Sequence, residues 1–231
     1  MKLLIRGGSI AAGHGVKKCY ADILKESLLK KGIEVINRSR YRETSFDGIG
    51  TFNEDIDFAP DILLINFGVD DAFGYVYRSE FQENIVQMIR LVRLRFNPVI
   101  LLATSHTFDN PDDMDAVNIF YRSLRIVASD LHCELIPVDN YWAGYLEEQN
   151  LSSKDLVLSD ARYPNERGHQ VIAEAMMTRL SKIFDHPSLS SSYHEFVYRK
   201  MYNGVVIIIR KAGGLISSWA LEPSLQYVPS L

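Results

Sequence analysis

Asp61-Ile62-Leu63-Leu64-Ile65-Asn66-Phe67 is a short apolar run bounded by Pro60 and Gly68. A strand without polar alternation must be covered on both faces, and that is the condition of a parallel strand between two helical layers. The neighbouring segments agree. Leu3-Leu4-Ile5 reads as a first strand. From Lys17 to Lys31, Tyr20, Ile23, Leu24 and Leu28 recur at helical spacing, and Gly32 ends that helix before a strand at Ile33-Glu34-Val35-Ile36. Phe81, Ile85, Met88, Ile89 and Val92 mark a further helix. Pro98 to Ala103 gives a fourth strand, Asp113 to Leu131 a helix presenting Val117, Phe120, Leu124 and Val127, and Glu134 to Val138 a fifth strand. Asn165 is placed to cap a last helix whose inward positions are Val171, Ile172, Ala175, Met176, Leu180 and Ile183. This alternation predicts α/β units wound into a three-layer α/β/α sandwich around a five-stranded parallel, flavodoxin-like sheet. Such sheets bind ligands at the carboxyl ends of their strands.

The composition changes after Asp185. Ser188 to Ser192 is a polar linker, and the run from Phe196 to Tyr202 leads through Asn203-Gly204 into Val205-Val206-Ile207-Ile208-Ile209. Asn-Gly between two strand-like runs predicts a C-terminal β-hairpin, because both turn residues tolerate positive φ. The Val-Ile run is too apolar for water, so it is expected to cover the main domain or to join a second copy as a homo-oligomer. The expected organisation is a domain over residues 1–185 and an extension over 186–231.

The bulk properties exclude several classes. A formal net charge of -4 and a pI near 5.9 give no basic footprint for nucleic acid. Cys19 and Cys133, the only cysteines, are too few for a disulfide framework or a zinc site, and no metal or other cofactor is expected. The opening Met-Lys-Leu-Leu-Ile-Arg lacks the roughly 7–15 apolar residues of a secretory segment, and no run of about 18 could span a bilayer. The expectation is a cytoplasmic protein without membrane attachment.

Three stretches carry the chemistry. Arg6-Gly7-Gly8-Ser9 follows the first strand, Gly68-Val69-Asp70-Asp71 follows the third, and Asp160-Ala161-Arg162-Tyr163-Pro164-Asn165-Glu166-Arg167-Gly168-His169 opens the last helix. In order and spacing they resemble the blocks of the SGNH/GDSL hydrolases, over roughly residues 2 to 184. The resemblance implies that Ser9 is a nucleophile whose backbone N–H faces an oxyanion. It also implies that Gly68 and the residue at 70 belong to the oxyanion hole, and that Asp160 and the residue at 163 complete a triad.

The chain departs from the family at these positions. Gly8 stands for the family's Asp. Asp70 stands for an Asn whose amide would donate to the oxyanion, whereas an ionised carboxylate only accepts. Tyr163 stands for the basic His, and a phenol with a reference pKa of about 10 is no base near neutrality. The family's second block supplies a glycine N–H; here Asn37 to Thr44 contains none, and Ser39 or Arg42 is the candidate. Arg38, Arg40 and Arg42 on that loop read as solvated charge or as partners for a carboxylate.

A serine nucleophile needs a base within about 2.6–3.2 Å. His106, directly after the fourth strand, is the preferred substitute. His14 is closer in sequence but is expected to point outward, and His169 is expected to pack. Asp71 could raise the pKa of Asp70 enough for it to donate, and an Asp70–Asp71–Asp160 metal site is disfavoured because adjacent residues point apart. The reading is a serine esterase or acyl hydrolase for a small acylated or glycosyl substrate. Its alternative is an inactive relative that binds such a ligand or serves as a scaffold.

Overall fold

The computed structural model describes residues 1–185 and the strands 197–202 and 205–210. Two compact units divide at Lys182, residues 1–182 and 183–231. In the first, β1 (Lys2–Gly7), β2 (Glu34–Asn37), β3 (Ile62–Asn66), β4 (Val99–Ala103) and β5 (Glu134–Ile136) form one parallel sheet in the order β2-β1-β3-β4-β5. The order reverses beside β1, so the carboxyl ends of β1 and β3 open the crevice where α/β sheets hold ligands. All five residues of β3 are buried, as its unbroken apolar run requires.

The alternation of side chains along the strands divides the core into two layers. Leu4, Leu63, Ile65, Ile100 and Leu102 join Phe52, Phe81, Ile85, Met88, Phe120 and Leu124 in one cluster. These come from α3 (Ser45–Asp55), α5 (Arg78–Arg95) and α6 (Pro111–Asp130). Leu3, Ile5, Leu64 and Leu101 face the other way and are fully buried. On that side the Tyr20 N–H, opening α2 (Tyr20–Leu29), donates to His169 Nδ1 of α8 (Glu166–Asp185) at 3.2 Å.

Sequence periodicity does not reveal α1 (Ser9–Ala12), α3, α4 (Val69–Phe73) or α7 (Val138–Glu148). The first and third of these are single turns. The other two gain their apolar faces from few residues, and α3 is fixed by its cap, where Thr44 Oγ1 accepts from the Asp47 N–H. The capping role read for Asn165 is present: its Oδ1 accepts from the Gly168 N–H at 3.0 Å.

In the second unit β6 (Val197–Tyr202) and β7 (Val205–Arg210) pair antiparallel, with Tyr202 opposite Val205. The Asn203-Gly204 turn itself lies outside the described residues. Among the described residues no helix is long and apolar enough to cross a membrane.

Candidate active site

Arg6 of β1 is a fully buried charge. Its guanidinium makes a two-pronged contact with Glu43 (Nη1–Oε2 2.8 Å, Nη2–Oε1 3.1 Å) and lies 3.0 Å from Asp55 Oδ2 through Nε. It also donates to the carbonyls of Arg38 and Gly48 and to Thr51 Oγ1. Arg40 covers the same carboxylates from the solvent side, with Nη1 2.8 Å from Glu43 Oε1. The loop after β2 is therefore pinned from beneath. The arginine-rich loop read as solvated charge does bind carboxylates, and they are the chain's own.

That pinning sets the backbone at Arg42, whose φ is 58°. A left-handed conformation suits glycine and strains an arginine. In it, the Arg42 N–H donates to Ser9 Oγ at 2.9 Å. The structure thus gives Arg42, rather than Ser39, the contact with the nucleophile position. The Ser39 N–H is turned to Asn37 Oδ1 at 3.0 Å.

Ser9 begins α1, is fully buried, and meets both oxygens of Asp70. Its N–H donates to Oδ2 at 2.6 Å and its hydroxyl to Oδ1 at 2.7 Å. Gly8 makes this possible, because a Cβ there would collide with Asp70 Oδ2 and lie 2.6 Å from the Glu43 carbonyl. Burial raises the Asp70 carboxyl above its ordinary range, opposed by the two Ser9 hydrogen bonds and by the charges of Arg162 and Arg42. Asp71 turns away from Ser9. It accepts from the Ser45 N–H at 2.7 Å and the Gly68 N–H at 2.9 Å, and burial pushes it up to about 6. Gly68 is required by its φ of 127°, but its N–H is committed to Asp71 rather than free for an oxyanion.

The Tyr163 hydroxyl faces the Ser9 side chain. Burial and the Asp70 charge raise its pKa, so at neutral pH it is a donor. Asp160 does not turn toward it. The Asp160 carboxylate instead receives Arg162 Nε (2.9 and 3.1 Å) and Nη2 (2.5 Å), which holds its pKa below the usual range. The Arg162 guanidinium lies 5.5 Å from the Phe73 ring centre and 5.6 Å from that of Tyr163.

His106 does not reach Ser9. Its Nδ1 lies 3.2 Å from Ser105 Oγ and its Nε2 3.1 Å from the Ala161 carbonyl, and the ring packs on Phe108 and Trp142. Burial lowers its pKa to about 4. A strand-end position could not reveal this, because the neighbours that enclose the ring come from distant segments. His169 is buried as expected, and its pKa is also lowered to about 4, first by burial. His14 departs from expectation. It turns inward, stacked on Tyr41 at 4.2 Å and edge-on to Tyr163 at 4.6 Å.

The buried neutral histidines predict acid sensitivity. Their folded pKa values lie below the unfolded value of about 6.5, so the stability they contribute is present above that pH. It is lost as pH falls towards 4. Asp71, raised to about 6, acts oppositely between about 4 and 6. Denaturant titrations from pH 7 to 4 should show falling stability, and His169→Gln should flatten the slope.

A serine after β1, a carboxylate after β3 and the segment before the last helix, one from each of the three sequence blocks, meet at the carboxyl edge of the sheet. The family model for GDSL-like lipases and acylhydrolases matches residues 6–171. The chain belongs to that family. A search of curated protein sequences gives no match. Among solved structures, LAE5, an alpha/beta hydrolase enzyme from the metagenome of Lake Arreo, Spain, is 20% identical with a TM-score of 0.68, covering 77% of this chain and 93% of that one. Axe2, an acetylxylan esterase from Geobacillus stearothermophilus, is 19% identical at a TM-score of 0.68, covering 77% and 92%. The acetyl xylan esterase AlAXEase is 20% identical at 0.68, covering 78% and 99%. Catalytic mutants of Axe2 fall at a serine, an aspartate and a histidine, the last two three residues apart.

Proposed function

We propose that this GDSL-family protein is an acyl-ester hydrolase acting on a small acylated substrate, with Ser9 as the nucleophile. The observation that carries this reading is the 2.7 Å hydrogen bond from the Ser9 hydroxyl to a carboxylate oxygen of Asp70. A serine hydroxyl gains nucleophilicity when an adjacent base removes its proton. The Arg42 N–H, 2.9 Å from Oγ, supplies a backbone donor in the same small space.

A small cleft lined by Gly8, Ile10, Asn66, Gly68, Asp70 and Ser105 among others has room for one water-sized group. That favours a short acyl chain such as acetyl, and the acetylxylan esterase activity named for two of the similar structures is in keeping with it. The hydrolysis of aryl acetate, butyrate and octanoate by wild type and Ser9→Ala tests both parts. We expect acetate turnover that Ser9→Ala reduces to background, and kcat/KM falling about tenfold or more from acetate to octanoate, the scale on which one or two misfitting methylenes discriminate. Equal rates in the two proteins would instead favour the ligand-binding reading, which has its own support: Asp70 Oδ2 already occupies the Ser9 N–H.

A further inference from the structure

Two polar groups hydrogen-bond the Ser9 side chain, the Asp70 carboxylate and the Arg42 N–H, and the Tyr163 hydroxyl lies beside it. In the family pattern the residue at 70 donates to the oxyanion and the residue at 163 accepts the serine proton. Here the side chain at 70 can only accept when ionised, and the one at 163 is a donor. Each departure taken alone removes a function. Together they leave one acceptor on Ser9 and one side-chain donor beside it, on opposite members of the pair.

We propose that the two roles are exchanged across the nucleophile: Asp70 Oδ1 takes the Ser9 proton, and the Tyr163 hydroxyl together with the Arg42 N–H receives the oxyanion. This assignment rests on the hydrolase reading above. The Oγ–Oδ1 separation of 2.7 Å is within the reach required of a general base. The Ser9 N–H, donating to Oδ2 at 2.6 Å, fixes the orientation of the carboxylate. Gly8 fits the same scheme, since a side chain there would evict the carboxylate. The Asp160–Arg162 pair acquires a use as well. Where the family Asp orients a histidine, Asp160 holds the Arg162 guanidinium beside Tyr163, and its charge acts on both Tyr163 and Asp70.

The Ser9 O–H bond breaks and its proton passes to Asp70 Oδ1 while Oγ bonds to the acyl carbon, placing the carbonyl electron pair on the oxyanion. Collapse breaks the ester C–O bond, and the leaving oxygen takes the proton from Asp70. Water then gives its proton to Asp70 as it attacks the acyl-serine. Ser9 Oγ recovers that proton as the carboxylic acid departs.

The test is a double-mutant cycle of aryl acetate hydrolysis in wild type, Asp70→Asn, Tyr163→His and the pair together, over Ser9→Ala background, with thermal unfolding confirming that each variant folds. Each single change is expected to lower kcat/KM by about 10²–10³. The pair recreates the conventional base and donor and should recover activity above both singles. Tyr163→Phe should lower kcat with little change in KM. The acid limb of the wild-type pH profile should lie above the usual carboxylate range, persist in Tyr163→Phe and vanish with Asp70→Asn. That carboxylate is faced by Arg42, Arg162, Tyr163 and Asp71, with His14 behind Tyr163. Asp70→Asn at or above the wild-type rate would overturn the exchange and make the carboxylate a plug. Loss on His14→Gln to the Ser9→Ala level, with Asp70→Asn retaining activity, would overturn it in favour of His14. Wild type no faster than Ser9→Ala overturns the hydrolase reading and, with it, the exchange.

Discussion

Arg6→Met is expected to destabilise the folded protein by about 3–5 kcal/mol, the cost of removing one partner from a buried ion pair. Arg6 is wholly buried, and Glu43 and Asp55 are 5% and 6% exposed. Without the guanidinium the cation left to those carboxylates among the described residues is Arg40, whose side chain is 45% exposed. A half-exposed charge in high dielectric recovers a small part of the loss. Arg6→Lys should be intermediate, because an ammonium keeps the charge but cannot reproduce the two-pronged contact with Glu43. Chemical unfolding of the three proteins at pH 7 measures the series. If the loss comes from uncompensated carboxylates, Arg6→Met with Glu43→Leu and Asp55→Leu should regain much of it. An unchanged midpoint in Arg6→Met would show that the network is not holding the fold. The same substitution should also reduce hydrolysis, since Arg6 anchors the Arg38 and Gly48 carbonyls on either side of Arg42.

Gly8→Ala is expected to impair activity as severely as removal of the Asp70 carboxylate. The Gly8 φ of -91° is negative, so strain in φ is not the reason. The added methyl would stand 2.6 Å from the Glu43 carbonyl and overlap the Asp70 carboxylate. The carboxylate end can rotate, whereas the carbonyl belongs to the loop that Arg6 pins. Asp70 is therefore expected to leave Ser9, breaking the bonds to its N–H and Oγ. Aryl acetate kcat/KM should drop by about 10²–10³, to the level of Asp70→Asn. Overpacking should also cost about 1–3 kcal/mol of stability. Activity near wild type in a well-folded Gly8→Ala protein would mean that the Asp70 contact is dispensable. The geometry also explains why the departures at 8 and 70 occur together. An Asp at 8, as the family has, would compete for the space that Asp70 fills.

The unbroken apolar run of β3, the cap at Asn165 and the helical spacing in α2, α5, α6 and α8 were legible because each depends on neighbours within one or two turns. The short α1 and α4 were not, and they carry Ser9 and Asp70. The place of Ser9 at the end of β1 could be read from the turn that follows an apolar strand. The sequence offered Ser39 and Arg42 for this contact without choosing between them, since a left-handed arginine carries no glycine to mark it. A high positive φ forced on a charged residue becomes visible only once Arg6, Glu43 and Asp55 are seen together. His106 misled for a related reason: a strand-end histidine reads as accessible until Trp142, Phe108 and the Ala161 carbonyl close around it.

The sequence by itself determined the α/β sandwich, the family and the chemical types at positions 9, 70, 160 and 163, because burial periodicity and residue identity are local properties. Tertiary structure alone decided what those groups do to one another. It set Asp70 against both polar groups of Ser9, turned Asp160 to Arg162, and brought the Tyr163 hydroxyl to the serine. Hydrogen bonds act over about 3 Å, and residues 9, 42 and 70 come within that range, with Tyr163 beside them, only when separate segments meet at the end of one sheet.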